Sequence, residues 1–139
     1  MLNNNLKNGD LYKFENQIFR IIDTDFVLNK VFIIDCIKQT MPQWVSINML
    51  NKYIPCTEEA LYNQTSYRPQ DINLLSQEDK KIAHQRYTII SPIIIFASDV
   101  QKRNELIGKI SETKNISKQT IRKILLPFYV VSIYICACT

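Results

Sequence analysis

The sequence predicts an α+β protein, in which a small N-terminal antiparallel β-unit is followed by a helical domain. Two changes along the chain predict this order. Residues 8–37 contain short segments rich in β-branched and aromatic residues, separated by polar turns. Residues 76–125 instead repeat their apolar residues at helical spacing. A meander of short strands favours a small curled sheet or barrel over a parallel α/β arrangement.

The β-unit is expected to span residues 1–54. Turns are predicted at Asn8–Asp10 and Asp23–Asp25, and they flank strands at Leu11–Phe14, Ile18–Ile22 and Lys30–Ile37. Further along, Ser46 is placed to cap a short helix that ends before Pro55. Residues 55–75 are mixed and polar, which indicates a linker.

The helical region begins at Ser76, a predicted N-cap that is followed by first-turn acids. Apolar residues then recur at helical spacing, and they are Ile82, Ala83, Ile89, Ile90, Ile93, Ile94 and Ala97. Pro92 removes a backbone donor within this run, so we expect a kink or a split near Ser91. Asp99 caps the next helix, whose apolar residues are Val100, Leu106, Ile107 and Ile110.

Residues 76–126 end in a pattern typical of a helix-turn-helix. A helix over Asp99–Thr113 is followed by a turn at Lys114–Ile116 and by a last helix capped by Ser117. On a helical wheel Ile121, Ile124 and Leu125 cluster on the side that faces the preceding helix. Gln119, Arg122 and Lys123 lie on the opposite side, with Lys118 and Thr120 on the flanks. Together with Lys114 of the turn and the cap Ser117, these five are the candidate DNA-binding residues.

The chemistry of these residues suits the DNA major groove. Gln119 can pair with adenine and Arg122 with guanine, while lysines neutralise phosphates. Charge supports the same hypothesis, since residues 1–75 carry seven basic and eight acidic side chains, whereas residues 100–123 carry seven basic and two acidic ones. A local basic excess favours a polyanionic partner. An ordinary solvated helix surface is the alternative explanation.

Several other classes of function are not expected, because the sequence motifs typical of them are missing. Two glycines are too few for a phosphate-binding Gly-rich loop, and neither GxGxxG nor GxxxxGK[ST] occurs. The four cysteines have no CxxC spacing and His84 is the sole histidine, so we expect no metal site and no cofactor. The first residues contain no apolar run, so we expect a cytoplasmic protein with reduced cysteines and no membrane partner.

The order of these segments resembles the N-terminal part of a TnsB-like transposase of the Mu family. The matching motifs are Asn8–Tyr12, Phe19–Ile22, Asp79–Ala83, Ile89–Ile94, Asp99–Ile110 and Ile116–Lys123, so the resemblance covers roughly residues 8–125. It implies binding to double-stranded DNA at transposon ends during DNA transposition and integration. In such transposases a later RNase H-like domain, with two Asp and one Glu, holds the Mg²⁺ that catalyses strand cleavage and joining. We expect this chain to lack that catalytic core and not to be an enzyme.

The apolar tail at residues 127–139 departs from the resemblance. Sixteen residues from Ile124 onward carry no charge, and Pro127 is expected to end the last helix. Either a frameshift has replaced the family sequence in a truncated element, or the tail is a buried strand. The alternative function is a non-catalytic interaction module, whose helical hairpin docks another protein such as the other transposition subunits.

Overall fold

A five-stranded antiparallel sheet forms the N-terminal part of the protein. The computed structural model describes residues 6–65 and 76–131. The strands are β1 (Leu11–Phe14), β2 (Gln17–Asp25), β3 (Lys30–Asp35), β4 (Gln43–Ser46) and β5 (Ile54–Cys56). Their order in the sheet is β4-β3-β2-β1-β5, and every pairing is antiparallel. Helices follow the sheet, so the predicted α+β class with an antiparallel β-unit is confirmed.

Two turns of the sheet contain residues other than glycine with a positive φ. Glu15, between β1 and β2, has φ of 54°, and Asn29, before β3, has φ of 56°. The second turn is at residues 26–29, so the turn predicted at Asp23–Asp25 is wrong. Those three residues instead extend β2 beyond a bulge at Ile21 and Asp23, where Thr24 pairs with Val31. Threonine favours strands, which outweighs the turn preference of the two aspartates.

One face of the sheet is closed by a 3-10 helix at Ile47–Lys52. Its cap is Ser46, as predicted, whose side chain accepts a hydrogen bond from the Asn48 N–H. The helix buries Ile47 and Leu50 in an apolar core that also contains Leu6, Tyr12, Ile21, Val31, Ile33 and Tyr53. This core holds the N-terminal unit together.

A short helix, α1 (Glu58–Gln64), follows β5 and is capped by Thr57. The sequence indicated a linker from residue 55, whereas a strand and a helix occupy residues 54–64. Both are too short for periodicity to reveal them, and they depend on partners distant in the chain. Leu61 is fully buried, and the β5 strand pairs with β1.

Arg20 in β2 is a buried cation that fixes α1. Only 2% of Arg20 is exposed, and its Nη1 and Nη2 donate to Glu58 Oε1 and Oε2 at 2.7 and 2.6 Å. Nη1 also donates to the Gly9 carbonyl at 2.7 Å. A buried guanidinium is stable when its donors are paired in this way. Arg20 thus joins the start of α1 to the sheet.

Residues 76–131 of the C-terminal unit form three helices, each in contact with the other two: α2 (Gln77–Ile94), α3 (Val100–Lys114) and α4 (Lys118–Val131). The predicted caps are confirmed, since Ser76 accepts from the Asp79 N–H and Asp99 from the Lys102 N–H. Pro92 lies inside α2 without splitting it. The chain divides into Met1–Tyr67 and Arg68–Thr139 as separate compact units.

Pro127 also lies inside a helix, so the prediction that it ends the last helix is wrong. An internal proline costs about 3 kcal/mol. The residues that follow offset this cost, because Tyr129 and Val130 are fully buried. The buried strand proposed for the tail is therefore absent from residues 127–131, which are helical.

Some sequence-based predictions concern residues outside the described ranges. They include residues 66–75 of the linker and residues 132–139 of the tail, with Cys136 and Cys138. Within residues 6–65 and 76–131, none of the helices combines the length and the apolar character needed to cross a membrane. Within the same ranges, His, Cys, Asp and Glu side chains form no group of three or more that could hold a metal ion.

Candidate nucleic-acid interface

The connection between α3 and α4 consists of Asn115, Ile116 and Ser117. Asn115 ends α3 in the left-handed conformation, with φ of 55° and ψ of 46°. The backbone N–H groups of Asn115 and Ile116 both donate to the Ser111 carbonyl. The Ser111 hydroxyl donates in turn to the Ile116 carbonyl at 2.6 Å. Ser111 therefore stabilises the connection between α3 and α4 through both its backbone carbonyl and its side chain.

Ser117 caps the start of α4. Its Oγ lies 3.1 Å from the Thr120 N and 2.8 Å from the Thr120 Oγ1, and its carbonyl accepts from the Ile121 N–H. The cap satisfies one backbone donor of the first helical turn, while a helix start presents further N–H groups that have no acceptor within the helix. The start of α4 therefore carries a partial positive charge in addition to its lysines.

The inner face of α4 packs into the helical unit. Ile121, Leu125 and Tyr129 are fully buried, and Ile107 of α3 is buried as well. Ile124, which the helical wheel places on the same side, is half-buried. The interior face predicted for α4 is thus buried at Ile121 and Leu125 and partly so at Ile124.

The outer face of α4 is exposed only near its start. Lys118, Gln119, Thr120 and Lys123 are exposed, and Arg122 is half-buried. From Ile124 to Val130 every side chain is buried or half-buried. We refer to Lys118, Gln119, Arg122 and Lys123 as the basic face. It covers the first two turns of α4, so any partner of this helix would meet it there.

Residues around the basic face extend its positive charge. Lys114 at the end of α3 and Ser117 are exposed. The Lys118 side chain lies beside Gly108 of α3, where a Cβ would make an ordinary van der Waals contact with Lys118 Cε at 3.9 Å. The apolar part of the lysine side chain can therefore contact α3 while its ammonium group reaches solvent.

Arg103 of α3 is a second buried cation, with 4% of its surface exposed. Burial lowers the pKa of Arg103 and Arg122 adds to that effect, whereas Tyr129 opposes it. Burial raises the pKa of Tyr129 to about 12, against the influence of Arg103. Arg103, Arg122 and Tyr129 are therefore near enough to influence one another electrostatically.

The burial of neither arginine was predicted from the sequence. Arg103 could have been found, because it lies three residues after Val100 and four before Ile107 in the apolar pattern of α3. Arg20 lies between Phe19 and Ile21 in a strand, and alternation alone does not reveal its partner, which is 38 residues away.

Other residue types that could act as ligands, stacking platforms or nucleophiles lie outside the basic face. His84 is exposed on α2. Trp44 packs on Phe32 with ring centroids 5.1 Å apart, while Phe14 and Phe19 pack on Tyr53 at 5.6 and 5.2 Å. Burial raises the pKa of the Cys36 thiol to about 12, so this cysteine is a poor nucleophile.

The chain matches no protein-family model and no curated protein. The resemblance to TnsB-like transposases thus stays a prediction from the motifs.

Proposed function

We propose that the C-terminal unit binds double-stranded DNA, with α3 and α4 acting as a helix-turn-helix. The observation that carries this proposal is the distribution of exposure along α4. Among residues 118–130 the exposed side chains are polar or basic and belong to the first two turns, while those of residues 124–130 are buried or half-buried. Helix-turn-helix proteins contact base edges with the N-terminal residues of their second helix.

Each part of the basic face has a role in this proposal. Gln119 would read a base edge in the major groove, and Arg122 would do so by extending from its half-buried position. Lys114, Lys118 and Lys123 would neutralise phosphates, while Ser117 and Thr120 lie at the helix start where backbone N–H groups can meet the DNA backbone.

The DNA target that we propose is the end of a mobile element. The order of motifs over residues 8–125, which resembles the N-terminal part of TnsB-like transposases, supports this target. On this proposal the chain supplies recognition in transposition and leaves strand cleavage to a catalytic domain that is not among the described residues.

A binding assay with matched variants tests the proposal. Lys118→Ala/Lys123→Ala removes two exposed charges from α4, and Lys30→Ala/Lys38→Ala removes two exposed charges from the N-terminal unit. Measured by fluorescence anisotropy on duplexes from the DNA flanking the gene, the first variant should lose affinity at least about tenfold. The second should bind like the parent protein. Equal losses, or no binding by the parent protein, would refute the proposal.

A further inference from the structure

The first two turns of α4 carry two side chains that suit the recognition of base edges. Gln119 is exposed, and Arg122, three residues later, is half-buried. A side-chain amide pairs with adenine through two hydrogen bonds, and a guanidinium pairs in the same way with guanine O6 and N7. Within residues 6–65 and 76–131, neither side chain makes a hydrogen bond or a salt bridge. Both are therefore free to bind a ligand.

The other polar residues at the start of α4 are less suited to reading bases. The Thr120 hydroxyl lies 2.8 Å from Ser117 Oγ, so it belongs to the helix cap. Lys118 and Lys123 are compact exposed charges that suit phosphates, and they lack the planar fork of a guanidinium. The sequence of α4 contains no Asp or Glu, so the helix offers no carboxylate to the amino group of cytosine. Base recognition is thus left to the amide and the guanidinium.

The surroundings of Arg122 favour an outward guanidinium. Half-burial restricts the apolar stem of this side chain. Arg103 of α3 is buried and near enough to act on Arg122 electrostatically, and two like charges repel. Movement of the Arg122 guanidinium toward Arg103 therefore costs energy, whereas extension into solvent avoids the repulsion. A restricted side chain also loses less conformational entropy when it binds.

The spacing of Gln119 and Arg122 sets the spacing of the bases that they can reach. Three residues of an α-helix advance about 4.5 Å along its axis, and their side chains are neighbours on its surface. Base pairs of B-DNA repeat about every 3.4 Å. Zinc fingers also place a helix in the major groove, and there residues three apart contact successive bases, principally on one strand. The spacing in α4 therefore fits two adjacent base pairs.

We propose that α4 recognises a purine step of duplex DNA, ApG or GpA, in which Gln119 binds the adenine and Arg122 binds the guanine. This inference rests on the proposed function, since it requires α4 to enter the major groove. The two orders of the step correspond to the two directions in which the helix can lie along the groove. Lys118 and Lys123 add affinity that does not depend on sequence.

Selection from a pool of fully randomised duplexes, with the full chain as bait, tests the inference. We expect the bound duplexes to share one such purine step, in a single order. In a selected duplex, replacement of either base pair of the step should reduce the affinity about tenfold, as measured by fluorescence anisotropy. Gln119→Ala should lose the preference for the adenine only, and Arg122→Lys should lose the preference for the guanine only.

Matched variants separate base reading from charge. Arg122→Lys keeps the positive charge, so its affinity for duplexes without the step should stay within about twofold of the parent value. Lys123→Ala removes the neighbouring charge, and it should weaken binding to all duplexes by a similar factor without changing the preference.

The outcomes also separate this inference from the proposed function. If the parent protein binds duplexes without selecting the purine step, the inference is wrong and the proposed function stands. If the step is selected but Gln119→Ala and Arg122→Lys keep the full preference, other residues read it and the inference is again wrong. If no duplex is bound at all, both fail.

Discussion

At the scale of single residues, the buried cations carry the largest electrostatic consequences. Arg20 and Arg103 are removed from water, which is costly for a charge unless partners replace the lost hydration. For Arg20 the partner is known, since its guanidinium is bound in bidentate fashion by Glu58. The stability of the N-terminal unit therefore depends on a carboxylate in α1.

Glu58→Gln should destabilise the N-terminal unit by roughly 2 kcal/mol, because it leaves the buried Arg20 charge without its anion. This figure is below that for a fully buried pair, since the Glu58 side chain is 40% exposed. Urea unfolding followed by circular dichroism measures the loss. Arg20→Met/Glu58→Met should lose less than the two single methionine variants together. Additive losses would show that the ion pair contributes nothing.

Tyr129→Phe tests the environment of the other buried cation. The Tyr129 hydroxyl is buried and makes no hydrogen bond to the residues that the structure describes, so its removal should change stability at pH 7 by less than about 1 kcal/mol. Its pKa rises from 10.0 to about 12 on folding, so the neutral form is favoured in the folded state. The parent protein should therefore lose stability between pH 10 and 12, where the unfolded chain releases this proton first.

The phenylalanine variant cannot release that proton. Relative to its parent it should gain about 1 kcal/mol by pH 11, as measured by urea unfolding at a series of pH values. Parallel pH profiles of the two proteins would contradict the assigned burial of the hydroxyl.

At the scale of elements, local signals were the most predictable. Ser46, Ser76 and Asp99 cap their helices as predicted, because capping involves a side chain and a backbone N–H only two or three residues apart. Strands β4 and β5 were not predicted, since they contain four and three residues and are fixed by pairing with β3 and β1. The continuation of α4 through Pro127 was also missed, because burial of later residues decides it.

The turn between α3 and α4 can be tested at Asn115. Its left-handed backbone costs about 1 kcal/mol for a residue with an ordinary Cβ, while asparagine tolerates it and glycine adopts it freely. Asn115→Ala should therefore destabilise the C-terminal unit by about 1 kcal/mol in thermal unfolding. Asn115→Gly should stay close to the parent protein. If the two variants lose equal stability, the side chain of Asn115 rather than its backbone angle is what matters.

At the scale of the whole molecule, charge is divided unevenly along the chain. Residues 76–139 carry ten basic and five acidic side chains, whereas residues 1–75 are close to neutral. This asymmetry could be read from the sequence, as could the confinement of the basic residues of α4 to its first two turns, but the burial or half-burial of residues 124–130 could not. It depends on which side chains the packing of three helices leaves outside. The residues of the candidate site could therefore be predicted from the sequence, but the exposure of each side chain could not.

The uneven charge leads to a prediction about salt. If about four cations of the C-terminal unit contact phosphates, the logarithm of the association constant for duplex DNA should fall with the logarithm of the salt concentration, with a slope of about −3.6. Lys118→Ala/Lys123→Ala removes two of these contacts, so the slope for this variant should be about −1.8. Lys30→Ala/Lys38→Ala makes the same change in net charge from the N-terminal unit and should keep the parent slope. Anisotropy titrations between 50 and 200 mM salt, roughly the range over which such contacts lose most affinity, measure all three slopes. A common slope for the three proteins would mean that net charge, and not the basic face of α4, attracts the DNA.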